Sequence, residues 1–159
     1  MKTEMQSLRG MVYASLFGAL TALGAYIIVP MPPVPITLQT FFLYIAGALL
    51  GGYLGALSQV VYLLLGFIGL PVFAGGKAGL GVLLGPTGGY LLGFVVAAYL
   101  VGKMVGMRPR PGFLWTVAAM VAGTAALYAL GVAQLMVVAK LTVIKALAAG
   151  VVPFLIGDA

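Results

Sequence analysis

Long apolar runs, separated by polar, glycine-rich or proline-rich breaks, set the pattern of this chain. Residues 1–9 are short and polar, with Lys2 and Arg9. Residues 10–29 follow as an apolar run of about 20, enough to cross a hydrocarbon core of about 30 Å as a helix. Four prolines stand within 30–35, which excludes helix there and predicts a stiff loop close to polyproline II. The run 38–70 is too long for one helix, and Gly51-Gly52 is its natural turn. It therefore predicts a second helix over 38–50 and a third over 54–68, both short, which implies tilt, local thinning or burial. A fourth helix is expected over 89–105 and a fifth over 113–130. The run 134–149 carries Lys140 and Lys145, poor residues for a lipid-facing span, and reads as a connecting or surface-lying helix. Residues 150–159 read as the start of a sixth span.

The stretch 70–90 breaks this pattern. It is as poor in charge as its neighbours, yet it holds seven glycines and two prolines, a density that opposes a regular helix. A polar linker would not leave Phe73, Leu80, Val82, Leu83, Leu84 and Tyr90 in water. Non-helical backbone at membrane depth is tolerated where it is buried in protein or lines a cavity, and interrupted membrane helices mark binding sites. The stretch is therefore read as a re-entrant or capping loop that closes a site, with 71–88 on the outer side and no spanning helix within it.

Composition sharpens the class. Of 159 residues, 64% are hydrophobic and 6% charged. A soluble domain carries about 25% charged residues. The expected architecture is an all-α membrane protein, one domain over 1–159: a compact bundle of six transmembrane helices, the sixth only begun. Cysteine and histidine are absent, which removes disulfides, thiol nucleophiles and histidine-based metal or acid–base chemistry. No cofactor or metal is expected. Gly75-Gly76-Lys77 is no phosphate-binding loop, because Ala78 follows Lys77 and the upstream glycine is missing. With no nucleophile–base pair either, the chain reads as a non-enzyme that cannot itself hydrolyse ATP. The net charge of +6 comes from scattered basic residues, which points to topology and anionic membrane lipid as a partner, not to nucleic acid. Lys2, Arg9, Lys103, Arg108 and Arg110 fall inside and Lys77, Lys140 and Lys145 outside if the N-terminus is cytoplasmic. Five against three has the sign of a multi-pass plasma-membrane protein in that orientation.

Small and polar residues on the spans have two readings. Ala14, Gly18 and Ala22, with Ser15 and Ala19 beside them, make a smooth stripe for close helix approach, either inside this bundle or toward a partner. Gly47, Gly51 and Gly55 give two overlapping G-x-x-x-G steps. Ser58 and Gln59 read as interhelical glue, and Trp115 as an interface anchor. Gln39 near the mouth of the second span is either a helix-start residue facing headgroups or a site donor.

The segments LPVFAGG and GVLLGPTGGYLLG in the central stretch resemble the signature of the BioY family, biotin-binding S components of energy-coupling factor (ECF) vitamin transporters. GALTALGAYI and PVPITLQT near the N-terminus, and the closing PFLIGD, also resemble that family, so the likeness covers nearly the whole chain in order. It implies a substrate-capturing subunit for biotin, driven by a transmembrane coupling subunit and two ATP-binding subunits. It also implies that the small stripe Ala14, Gly18 and Ala22 docks the coupling subunit. The competing classes are a stand-alone small-solute carrier, which would need coupling ions, and a membrane assembly subunit with no small ligand.

Biotin has a flat ureido ring, an apolar sulfur ring and a carboxylate tail. Asp158 is the one acid besides Glu4, and an intramembrane carboxylate is a functional hypothesis by default. It is either a helix cap or, as its match to the family motif implies, the acceptor for the ureido N–H groups. The family pattern sets a lysine about one turn after this aspartate, and the sequence ends at Ala159. Lys77 is the other cation expected near the site. Phe73 and Tyr90 are expected to wall the rings, Gly75 and Gly76 to expose backbone donors, and Thr87 and Gln39 to contribute as lesser candidates.

Overall fold

The computed structural model describes the backbone of residues 2–157 and the side chains of residues 6–156. Within them the chain is mainly helical. α1 (Lys2–Gly24) leads into two short strands, β1 (Ile28–Val29) and β2 (Ile36–Thr37). Next come α2 (Gln39–Leu50), α3 (Gly52–Phe67), a 3-10 turn (Ala74–Gly76) and α4 (Leu80–Leu83). The chain continues through α5 (Gly88–Gly106), α6 (Phe113–Ala139), α7 (Val143–Gly150) and α8 (Val152–Gly157). α5 and α6 are long and apolar enough to cross a membrane. α2, with 12 residues, reaches only about 18 Å at 1.5 Å per residue. Large apolar side chains such as Leu16, Leu49, Leu64, Leu92 and Val121 face outward, as a lipid-facing surface requires.

α5 is the axis of the bundle and packs on α2, α3 and α6. Small residues bring the backbones together. A Cβ on Gly47 would lie 2.6 Å from the Ala98 carbonyl oxygen, and one on Gly93 3.0 Å from Leu127 Cα. Close approach of this kind replaces the hydrophobic drive that helices lack in lipid. Gly51 takes φ 85°, ψ 173°, which ends α2 and starts α3 within a single residue. That backbone is open to glycine and strained for other residues. Gln59 of α3 takes the expected interhelical role, its Nε2 donating to Thr21 Oγ1 of α1 at 3.2 Å, while Ser58 Oγ bonds within α3, accepting from Gln59 Nε2 at 3.1 Å and donating to the Gly55 carbonyl at 2.6 Å.

The central stretch contains no continuous helix between residues 75 and 85, only the 3-10 turn and four-residue α4. The proline run is a loop without helix, as expected, and the structure adds its setting. It is the tip of a hairpin in which Ile28 pairs with Thr37 and Val29 with Ile36, the prolines lying beyond the ladder where no N–H is needed. The helix break placed at 130–134 does not exist. α6 runs on through 27 residues, about 40 Å, and ends where Lys140 turns left-handed at φ 52°. Gly131 does not break it, because its missing Cβ gives room to the Tyr90 ring.

Ala14, Gly18 and Ala22 have two readings, packing inside this bundle or docking a partner. Ala14 and Gly18 are buried and Ala22 half-buried within this chain. A Cβ on Gly18 would lie 2.9 Å from the Ser58 carbonyl oxygen, so α3 seats closely on α1 at Gly18. Gly18→Leu is therefore expected to destabilise the chain itself by about 1–3 kcal/mol, the range for overpacking. Thermal unfolding in detergent would read this as a lowered midpoint. A wild-type midpoint would return the stripe to the outer surface.

Candidate ligand-binding site

At one end of the bundle, the hairpin, the loop 68–87, the start of α5 and α8 surround a cavity of about 730 Å³, counting space open to the outside. Pro33, Val34 and Pro35 enter from the hairpin, and Thr37, Gln39 and Thr40 from β2 and the start of α2. The loop contributes Phe73, Ala74, Lys77, Val82 and Thr87. α5 contributes Tyr90, Leu91 and Phe94, α6 Leu127 and Tyr128, and α8 Phe154.

Two aromatic groups form the walls, and each rests on glycine. Phe73 is 1% exposed. Its ring lies so close over Gly66 that a Cβ there would be 2.1 Å from Phe73 Cζ. Tyr62 meets Phe73 edge-on, with centroids 5.6 Å apart, and stacks on Phe94 at 6.5 Å. On the other side, the Tyr90 ring occupies the space of a Gly131 Cβ, which would lie 2.3 Å from Tyr90 Cε1. Tyr90 Oη donates to the Gly150 carbonyl at 2.8 Å, and its ring stacks on Phe154 with centroids 5.9 Å apart. One tyrosine thus ties α5 to α6 and to the junction of α7 with α8.

The polar groups cluster by position. Gln39 is 2% exposed. Its amide donates to Tyr62 Oη, and its Oε1 accepts from Thr37 Oγ1 at 2.7 Å. Lys77 is exposed and is the one charged side chain among the lining residues. The Phe73 N–H donates to the Lys77 carbonyl at 2.9 Å, closing a tight turn with Lys77 at its end. Apolar rings, a set of hydroxyl and amide groups and one cation suit a flat, mostly apolar molecule with an anionic end.

Of the residues singled out from the sequence, Phe73, Lys77, Tyr90, Thr87 and Gln39 converge on the cavity. Gly75 and Gly76 do not line it, and their N–H groups are already used. Gly75 donates to the Ala25 carbonyl at 3.3 Å and Gly76 to the Phe73 carbonyl at 2.9 Å. Asp158 lies outside the described residues. The hairpin residues, Leu127, Tyr128 and Phe154 were missed as lining groups. Phe154 stood in the PFLIGD segment, and Tyr128 is the sole tyrosine of its span, the signals that could have found them.

The family model described as the BioY family matches residues 1–159. The chain belongs to the BioY family. It is 44% identical over 147 residues to a protein of Thermotoga maritima named biotin transporter BioY, covering 92% of this chain and 85% of that protein. A protein of the same name from Rhizobium etli is 38% identical over 162 residues, covering 96% and 86%. Among solved structures, the S component for biotin from an ECF-type ABC transporter superposes with a TM-score of 0.87 at 28% identity, covering 96% of this chain and 84% of the other. BioY proteins are transporter components and not enzymes, and membership makes this a membrane protein.

Proposed function

We propose that this chain captures biotin in the cavity between the central loop and the last helix, as the S component of an ATP-driven uptake system. The observation that carries the reading is the cavity itself. Its aromatic walls suit the two fused rings, and Lys77 at its edge suits a carboxylate, in a chain whose fold matches a biotin S component. The expected topology has six spanning helices, the N-terminus in the cytoplasm of a plasma-membrane protein, and the loop 68–87 as a cap. Lys103, Arg108 and Arg110 then meet anionic lipid at the inner face, where Arg108 lies 4.0 Å over the Trp115 ring. A transmembrane coupling subunit and two ATP-binding subunits supply the energy. Since Ala14 and Gly18 are buried within this chain, the docking face we assign is the outward side of α1, where Ser15 and Ala19 are exposed.

Asp158 is the proposed acceptor for the ureido N–H groups. In the sequence it stands four residues after Phe154, a lining residue of the cavity. Leaving a buried donor unpaired costs about 1–3 kcal/mol. Calorimetric titration of biotin into the detergent-solubilised full chain tests the reading. Saturable one-to-one binding is expected, weakened about tenfold or more in Asp158→Asn, because 1.4 kcal/mol is a factor of ten. Desthiobiotin should compete, and a biotin methylated on both ureido nitrogens should not. No biotin heat in the wild type would sink the function. Unchanged affinity in Asp158→Asn with tight binding of the methylated analogue would make this aspartate a helix cap.

A further inference from the structure

The loop 68–87 crosses the cavity between two sets of anchors. Its first half is tied to the turn after α1 and to α3: Tyr26 Oη donates to the Pro71 carbonyl, Gly75 N–H to the Ala25 carbonyl at 3.3 Å and Gly79 N–H to the Gly66 carbonyl at 2.7 Å. Its second half is tied to α6 through one side chain. Gln134 Nε2 lies 2.8 Å from both the Leu83 and the Gly85 carbonyl oxygens. A primary amide has two N–H donors, so this fork commits both to the end of α4. Leu83 ends α4, where carbonyls lack intrahelical partners, and α6 supplies one; the Gly85 carbonyl also accepts the Gly88 N–H at 3.2 Å.

The local sequence makes room for the fork. A Cβ on Gly88 would lie 1.7 Å from the Leu83 oxygen and 2.4 Å from Gln134 Nε2, and one on Gly89 2.8 Å from Gln134 Cβ. Val82 and Thr87, on either side of the forked carbonyls, both line the cavity. We propose that Gln134 is a positioning residue: it latches the second half of the loop shut over the cavity and sets how fast the ligand leaves. Gln134 itself is not among the lining residues, so its effect passes through the loop. The proposal rests on the biotin-binding reading, and its test separates the two.

The full chain in lipid nanodiscs is compared with Gln134→Leu and with Gln134→Glu, which keeps the shape but presents a carboxylate to the two carbonyls. Hydrogen exchange is followed without ligand, and biotin association and dissociation rates are measured separately. Exchange over 80–87 should rise at least tenfold in both variants, with 52–67 unchanged. Biotin should dissociate at least tenfold faster, with the association rate no slower than wild type. A general packing defect would instead speed exchange in 52–67 as well, which would overturn the latch. So would unchanged exchange over 80–87, or faster exchange with an unchanged dissociation rate. A wild type that ignores biotin would sink the function reading, while the exchange data still decide the latch. Should neither variant fold, the Gln134 side-chain amide of the wild type decides: protection at least tenfold above a free glutamine amide supports the fork, and exchange at the free rate overturns it.

Discussion

Gly66→Ala is expected to lower biotin affinity about 100-fold, about 2.8 kcal/mol at 1.4 kcal/mol per decade. A Cβ at this position would lie 2.1 Å from Phe73 Cζ and 2.3 Å from Cε1, so the whole ring must move. Tyr62 blocks one direction at 5.6 Å, and the backbone of Phe73 is held by its N–H bond to the Lys77 carbonyl at 2.9 Å. The way left for the ring is into the cavity it lines, where the ligand would sit. Overpacking of this kind also strains the fold by about 1–3 kcal/mol. Titration with biotin measures the first effect and thermal unfolding the second. Adding Phe73→Leu should recover part of the affinity, since a shorter side chain frees the space above residue 66. Unaltered affinity in Gly66→Ala would mean that the ring has another seat and that Gly66 does not shape the site.

The dependence of two aromatic walls on glycines explains which parts of the site the sequence revealed. Gly51-Gly52 announced a turn because a helix boundary is a local event, and φ 85° at Gly51 is its expression. The stretch 70–90 stood out because glycine and proline act on their own backbone. Gly66 and Gly131 gave no such signal. They sit inside regular helices, and what they accommodate, Phe73 and Tyr90, arrives from elsewhere in the chain. The same limit applies to Gly18. Small residues predict that something comes close, and only the three-dimensional packing shows that it is α3. Gly75 and Gly76 were read as open donors, yet at φ 71° and 77° they serve a turn whose N–H groups point back to protein carbonyls. The hairpin was hidden for another reason. Strands of two residues carry too little pattern to be seen, and their register is fixed by what packs around them.

Tyr90 joins these themes, and its removal should have the broadest effect. It is 5% exposed. Its ring fills the notch at Gly131, stacks on Phe154 and sends its hydroxyl to the Gly150 carbonyl at 2.8 Å. That carbonyl lies where α7 gives way to α8, the helix that leads toward Asp158. Tyr90→Phe deletes only the hydroxyl and leaves an acceptor unpaired, a loss of about 1–3 kcal/mol that should fall mainly on stability. Tyr90→Ala removes the ring as well, and loss of a buried aromatic costs about 3–5 kcal/mol. Phe154 then loses its stacking partner and keeps the tilted contact with the Tyr128 ring, 6.1 Å between centroids, so α8 is held less firmly. Biotin affinity should fall more than 100-fold in Tyr90→Ala and less than tenfold in Tyr90→Phe, measured by titration on the same preparation. Equal losses in the two variants would assign the whole effect to the hydroxyl and its bond to Gly150. Wild-type affinity in Tyr90→Ala would remove this side chain from the wall of the site.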